Sequence, residues 1–226
     1  MGNYRLKTYD FVEVGTCFFD TLIEKADDNT VGLSVEPIKM YQDKLPNKPN
    51  VVKVNAALVA DEDLGEGNID FYYVHEDTIN KHQLGIWLAG CNTVNKPHES
   101  HVAYYPDPRE WHLNQDKSKL KYQTHNLLEL GMVNIDNVKC LTFKNLVDEY
   151  EIGYIKYLKV DVEGYDCKLV NAVLDYFVEY DKCPDQIYFE SNSHSDKADV
   201  ALLTKRLQLL GYKLVITQFD TLAKKR

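Results

Sequence analysis

Tyr154-Ile155-Lys156-Tyr157-Leu158-Lys159-Val160-Asp161-Val162-Glu163-Gly164 is a run of aromatic, β-branched and aliphatic residues that closes on two acids and a glycine. A run of this kind reads as a buried strand. Behind it Leu169, Val170, Val173, Leu174 and Phe177 recur at helical spacing, so a helix follows. Gln186 to Glu190 reads as another short strand, Ala198 to Leu210 as a helix stopped by Gly211, and Tyr212 to Phe219 as a last strand. Toward the N-terminus, strand-like Tyr9 to Val14, Val31 to Val35 and Val51 to Leu58 alternate with helix-like Thr21 to Ala26 and Ile38 to Leu45. This alternation predicts an α/β fold, a mostly parallel sheet with helices on both faces.

The two alternating blocks flank a stretch of different texture, about Asp61 to Asn137, with several glycines and prolines and most of the histidines. Ile69 to Val74 and Ser100 to Tyr105 read as strands inside it, and the rest as loops. Loops this long in a compact domain tend to be functional. The expectation is one domain over 1–226 in which 61–137 is a loop-rich insertion. The C-terminal Lys224-Lys225-Arg226 reads as a solvated, fraying end.

With 226 residues, 44% hydrophobic and 27% charged, the chain can bury a real core and lies outside the disordered regime. No apolar run reaches the roughly 18 residues of a membrane helix. The start, MGNYRLKTYD, lacks the apolar stretch of a signal peptide. A cytoplasmic protein with no membrane partner is expected. The net charge of −9 disfavours nucleic acid, whose binding needs clustered Lys and Arg. The five cysteines are widely spaced with no CxxC pair, which predicts reduced thiols.

The chemistry sits at predicted strand ends, where open α/β sheets bind ligands. Phe11-Val12-Glu13-Val14-Gly15-Thr16 places an acid and a glycine at the first turn. Phe18, Phe19 and Asp20 follow where a dinucleotide fingerprint needs further glycines, and the Walker pattern is also absent. The ligand expected is one without a pyrophosphate. Glu36, before Pro37, closes the second strand about twenty residues later, a place from which a carboxylate binds both hydroxyls of a ribose. Strand alternation, if it continued, would put Asp161 and Glu163 on the same side at the ligand edge. Like charges so placed need a cation, a metal or a shared proton. After the next strand, Glu190-Ser191-Asn192-Ser193-His194 offers Glu190 as a partner for Asp161 around a hard cation and His194 as a general base.

At these residues the sequence resembles the FkbM family of S-adenosylmethionine-dependent methyltransferases. LKVDVEG at Leu158 to Gly164 is its strongest element, with FVEVG, LSVEP, VNAAL, QIYFES and LGYKL in the expected order around it. The resemblance implies a Rossmann-like class I methyltransferase fold and S-adenosyl-L-methionine as cofactor. It implies that Glu13 and Gly15, with Thr16, lie at the methionine end. Glu36 and Pro37 would lie at the ribose, and Asn55 with Ala56 at the adenine. Asp161, Glu163 and Glu190 would face the transferred methyl and the acceptor. By analogy with related metal-dependent sugar O-methyltransferases, Mg2+ or Mn2+ would sit at Asp161 and Glu190. The family's first turn carries a second glycine that this chain lacks, and Asp20 would replace part of its contacts. The antiparallel seventh strand of this fold has no clear counterpart after Phe219.

The implied reaction is methyl transfer to a hydroxyl of a sugar, a glycan or a glycosylated small molecule, which needs a base or a bound cation at the acceptor oxygen. The central stretch is the expected acceptor site. Trp87, Tyr104, Tyr105 and Trp111 offer flat apolar faces, and Asn92, Asn95, His98, His101 and His112 directional contacts. His98 and His101, three apart, are a weak metal signal. Two alternatives stay open: a metal-dependent glycosyltransferase using Asp161-Val162-Glu163 to hold a nucleotide sugar, and a non-catalytic methyltransferase-like scaffold.

Overall fold

The computed structural model describes residues 6–94, 103–104, 125–178, 182–192 and 194–225. The chain divides into two compact units, 1–70 with 137–226, and 71–136.

The first unit is built on a seven-stranded sheet. Its strands are β1 (Lys7–Val14), β2 (Gly32–Val35), β3 (Val51–Val54), β9 (Ile152–Val160), β10 (Gln186–Glu190), β11 (Tyr212–Ile216) and β12 (Asp220–Lys225). Their order is β11-β12-β10-β9-β1-β2-β3. β1 pairs in parallel with β2 and β9, β2 with β3, and β9 with β10, while β12 is antiparallel to both β10 and β11. The sheet is thus mostly parallel, as a Rossmann-like methyltransferase fold requires. The strand order reverses between β1 and β9, and it is there that ligand sites form in such sheets.

The connecting helices are α1 (Leu22–Lys25), α2 (Lys39–Lys44), α4 (Phe143–Tyr150), α5 (Asp166–Val178) and α6 (Lys197–Leu209). On α5, Leu169, Val170, Val173, Leu174 and Phe177 form a fully buried stripe, so the apolar spacing of the sequence becomes a helix face packed on β9 and β10. Both α4 and α6 pack against α5. Thr142 and Asn145 make a capping box at the start of α4. Asp196 caps α6 by accepting the N–H groups of Ala198 and Asp199.

Three expectations are corrected. Val51 to Leu58 is not one strand: at Asn55 the chain leaves the main sheet, and β4 (Ala57–Val59) pairs in parallel with β8 (Asn134–Thr142). β8 and α4 had no counterpart in the sequence reading. The first six residues of β8 are exposed or half-buried and mostly polar, with Ile135 and Val138 facing away from the core, so only Cys140-Leu141-Thr142 is buried. The C-terminal lysines do not fray: Lys224 and Lys225 belong to β12, where Thr221 and Ala223 are buried between neighbouring strands. This is the antiparallel seventh strand, disguised by small and charged residues.

In the second unit, α3 (Glu76–His82) is capped by His75, whose Nδ1 accepts the Asp77 N–H at 3.0 Å. β5 (Asn68–Tyr73) runs into it, and β6 (Ala103–Tyr104) and β7 (His125–Asn126) form a two-residue antiparallel ladder. Asn92 is buried and donates to the Ala89 carbonyl at 2.7 Å, whereas Trp87 is half exposed. Asn95, His98, His101, Tyr105, Trp111 and His112, expected at the acceptor, lie outside the described residues, as does the side chain of Tyr104. No helix among the described residues is long and apolar enough to cross a membrane.

Candidate active site

β1 ends in a turn whose tightness comes from Gly15. Its φ is +80, and a Cβ there would stand 1.8 Å from the carbonyl oxygen of Asp161. The missing side chain therefore admits the backbone of the β9 turn. The Asp161 N–H donates to the Val14 carbonyl at 3.0 Å, locking the two strand ends together. After Gly15 the backbone is left-handed at Cys17 (φ 48) and Asp20 (φ 54) without a second glycine. With Glu163 (φ 52), three of the five such non-glycine residues among those described fall in these two turns. Strain of this kind collects at functional sites.

Glu13 is fully buried and committed within the protein. Its Oε1 pairs with the Lys159 ammonium at 2.9 Å, its neighbour across the β1–β9 ladder, and its Oε2 accepts the Leu22 N–H at 2.8 Å. Burial pushes Glu13 up and works against the charge on Lys159. For Lys159, Glu13 and then Asp161 outweigh burial and hold the ammonium above its ordinary value. Lys159 also approaches the Asp20 carbonyl at 3.4 Å and Asp161 at 3.9 Å. The Asp20 side chain points outward to Lys25 at 2.7 Å. Thr16 is buried, and among the described residues its Oγ1 has no hydrogen-bond partner.

Glu36 closes β2 and is only 1% exposed. Its Oε2 accepts the Cys17 N–H at 2.7 Å and its Oε1 the Ile38 N–H at 2.8 Å, which leaves lone pairs on both oxygens. Burial pushes the carboxyl up to about 7 against these two donors. Phe18, next to Cys17, packs on Tyr41 with ring centroids 5.1 Å apart, and Lys44 lies 4.4 Å over its ring. Pro37 and Ala56 are buried. Asn55 braces the same corner, its Nδ2 donating to the carbonyls of Glu36 and Pro37, both at 2.9 Å.

The alternation that would set Asp161 beside Glu163 stops with β9 at Val160. Asp161 keeps 40% of its side chain exposed, yet desolvation, with Glu163 and Glu190 near, pushes its carboxyl up to about 7 despite Lys159. Glu163 turns instead toward His194, whose Nδ1 lies 3.5 Å from Glu163 Oε2 and 3.9 Å from Glu190 Oε1. Burial acts against a charged imidazole, but these two carboxylates win and raise His194 to about 9. Asn192 donates to Glu190 Oε1, and the His194 N–H donates to Asn192 Oδ1 at 2.7 Å. Ser193 lies outside the described residues.

Among the described residues, the side chains that could hold a metal are Glu163, Glu190 and His194, with ligand atoms within 4.8 Å of one another. The pairing expected from sequence was Asp161 with Glu190. Two residues of this site escaped the sequence reading. Lys159 read as a strand residue, although a lysine amid apolar neighbours was a visible signal. Asp166, 0% exposed, lay hidden at the start of a helix.

No curated protein and no solved structure matches this chain at a significant level. Residues 11–214 match the model of the Methyltransferase FkbM domain, and the chain belongs to that family of methyltransferases.

Proposed function

We propose that this protein transfers a methyl group from S-adenosyl-L-methionine to a hydroxyl of a sugar, a glycan or a glycosylated small molecule. The observation that carries the reading is the meeting of Asp161, Glu163, Glu190 and His194 at two adjacent strand ends, against the turn whose Cys17 N–H caps Glu36.

The residues present suit that cofactor. Glu36 keeps lone pairs for two ribose hydroxyls, and the buried Thr16 Oγ1 is an acceptor and donor awaiting use. The Glu13–Lys159 pair is internally neutral. The surplus of carboxylates at Asp161, Glu163 and Glu190 over the His194 cation favours a sulfonium. Asn55 and Ala56 would border the adenine, and Gly15 and Thr16 the methionine end. When bound, S-adenosylmethionine supplies an electrophilic methyl.

The protein's part is to align the acceptor oxygen with that methyl and to remove its proton. Asp161, the most exposed of the cluster, is the carboxylate placed to accept the proton. His194 would orient Glu163 and Glu190. With the His194 proton displaced, Glu163, Glu190 and His194 would instead hold Mg2+ or Mn2+, and a cation there would lower the pKa of the hydroxyl. The intracellular milieu that supplies the cofactor is the proposed location.

Calorimetric titration with S-adenosylhomocysteine tests the reading. Saturable binding that Glu36→Ala abolishes is expected. Transfer of a deuterated methyl to a panel of sugars and glycosides, followed by mass spectrometry with and without EDTA, then finds the acceptor and separates the two routes. Absence of binding under every metal condition, with tight binding of UDP, would replace this reading by nucleotide-sugar chemistry.

A further inference from the structure

We infer that Asp166 is the positioning residue of the acidic cluster, its buried carboxylate fastening the turn that carries Asp161 and Glu163 to the strand end that carries Glu190. The inference rests on the methyltransferase reading above and adds to it a residue that touches neither cofactor nor acceptor.

Asp166 Oδ2 accepts the Gly164 N–H at 3.2 Å, and Oδ1 accepts the N–H groups of Val162 at 3.4 Å and Glu190 at 3.2 Å. The first two are local bonds such as an aspartate near a helix start commonly makes. The third spans 24 residues of sequence and joins β10 to the β9 turn. Glu163 lies between two of the fastened amides, in a left-handed conformation at φ 52 that an unrestrained glutamate seldom adopts. Gly164 completes the fit: a Cβ there would stand 2.9 Å from the His194 carbonyl oxygen, so the turn also sits directly against the His194 loop. Asp166 thus ties the backbone on both sides of Glu163 to that of Glu190.

The arrangement is costly, which argues against a merely convenient cap. A carboxyl that is 0% exposed has lost its hydration, and three N–H donors stand in for the lost water. All three partners are donors, so Asp166→Asn keeps the volume but turns an amide donor toward N–H groups.

The test compares two nucleosides by calorimetry in the wild type and in Asp166→Asn. Sinefungin carries an ammonium where the cofactor carries its methyl sulfonium; S-adenosylhomocysteine is neutral there. The wild type is expected to bind sinefungin about tenfold more tightly, as a charge-assisted contact allows. In Asp166→Asn this preference falls to about twofold or less, while the S-adenosylhomocysteine Kd moves by less than about threefold. An unchanged preference, or equal weakening of both ligands, overturns the inference and leaves the cofactor reading standing. A wild type that binds neither nucleoside overturns both. A second measurement needs no variant: in native-state hydrogen exchange the amides of Val162, Gly164 and Glu190 should share strong protection. Exchange of the Val162 and Gly164 amides at free loop rates would overturn the inference by itself.

Discussion

The α-carbon of Gly15 lies against the carbonyl of Asp161, with no room between them for a side chain. One glycine therefore decides how β1 and β9 end, and so where the turns that follow them meet. Gly15→Ala meets both an unfavourable φ and a backbone collision, and is expected to cost on the order of 3 kcal/mol. Gly65 is the control: its φ is +51 with nothing within 4 Å, so Gly65→Ala should lose only about 1 kcal/mol. Urea unfolding of both variants measures the difference, and equal losses would show that the contact is not tight.

The Glu13–Lys159 pair makes a second prediction. Lys159→Met leaves Glu13 buried without its ion-pair partner, and removing one partner of a buried pair costs on the order of 3 kcal/mol. Adding Glu13→Gln removes the stranded charge and should restore a large part of that loss. Simple additivity of the two changes in a double-mutant cycle would show that the residues do not act as a pair.

These two cases show what the sequence made legible. Gly15, Glu36 and Leu158 to Gly164 stand at strand ends marked by apolar runs, and the alternation of those runs with helical spacing gave the parallel sheet. What was hidden had a physical reason in each case. Asp166 and Lys159 act through burial and partners distant in the chain, which periodicity does not report. β8 is too polar along most of its length to show a pattern. The grouping of Glu163 with His194 follows from a left-handed turn at Glu163, where strand alternation no longer applies.

The last strand makes a third prediction. β12 lies between β10 and β11, so removing residues 220–226 takes away one ladder of β10 and leaves β11 with no strand to pair with. Loss of cooperative unfolding by circular dichroism is expected, whereas deletion of Arg226 alone should change little. A truncated protein with an undiminished transition would contradict the strand order.

Glu36 makes the fourth prediction, and its sign follows from burial. Its folded pKa of about 7 lies above the ordinary 4.5, so between these values the folded chain binds more proton than the unfolded one. Its contribution to stability is fully present below pH 4.5 and is lost as pH rises toward 7, by on the order of 3 kcal/mol. Glu36→Gln should remove that part of the pH slope in urea unfolding. Ligand binding runs the other way. On the proposed function, ribose hydroxyls would donate to the carboxylate, so affinity for S-adenosylhomocysteine should rise with pH up to about 7 and then level off. Binding at pH 6 should release a proton, seen as a dependence of the calorimetric heat on the ionisation enthalpy of the buffer. Affinity that is flat from pH 5.5 to 8, with no proton released, would mean that the ribose does not rest on Glu36.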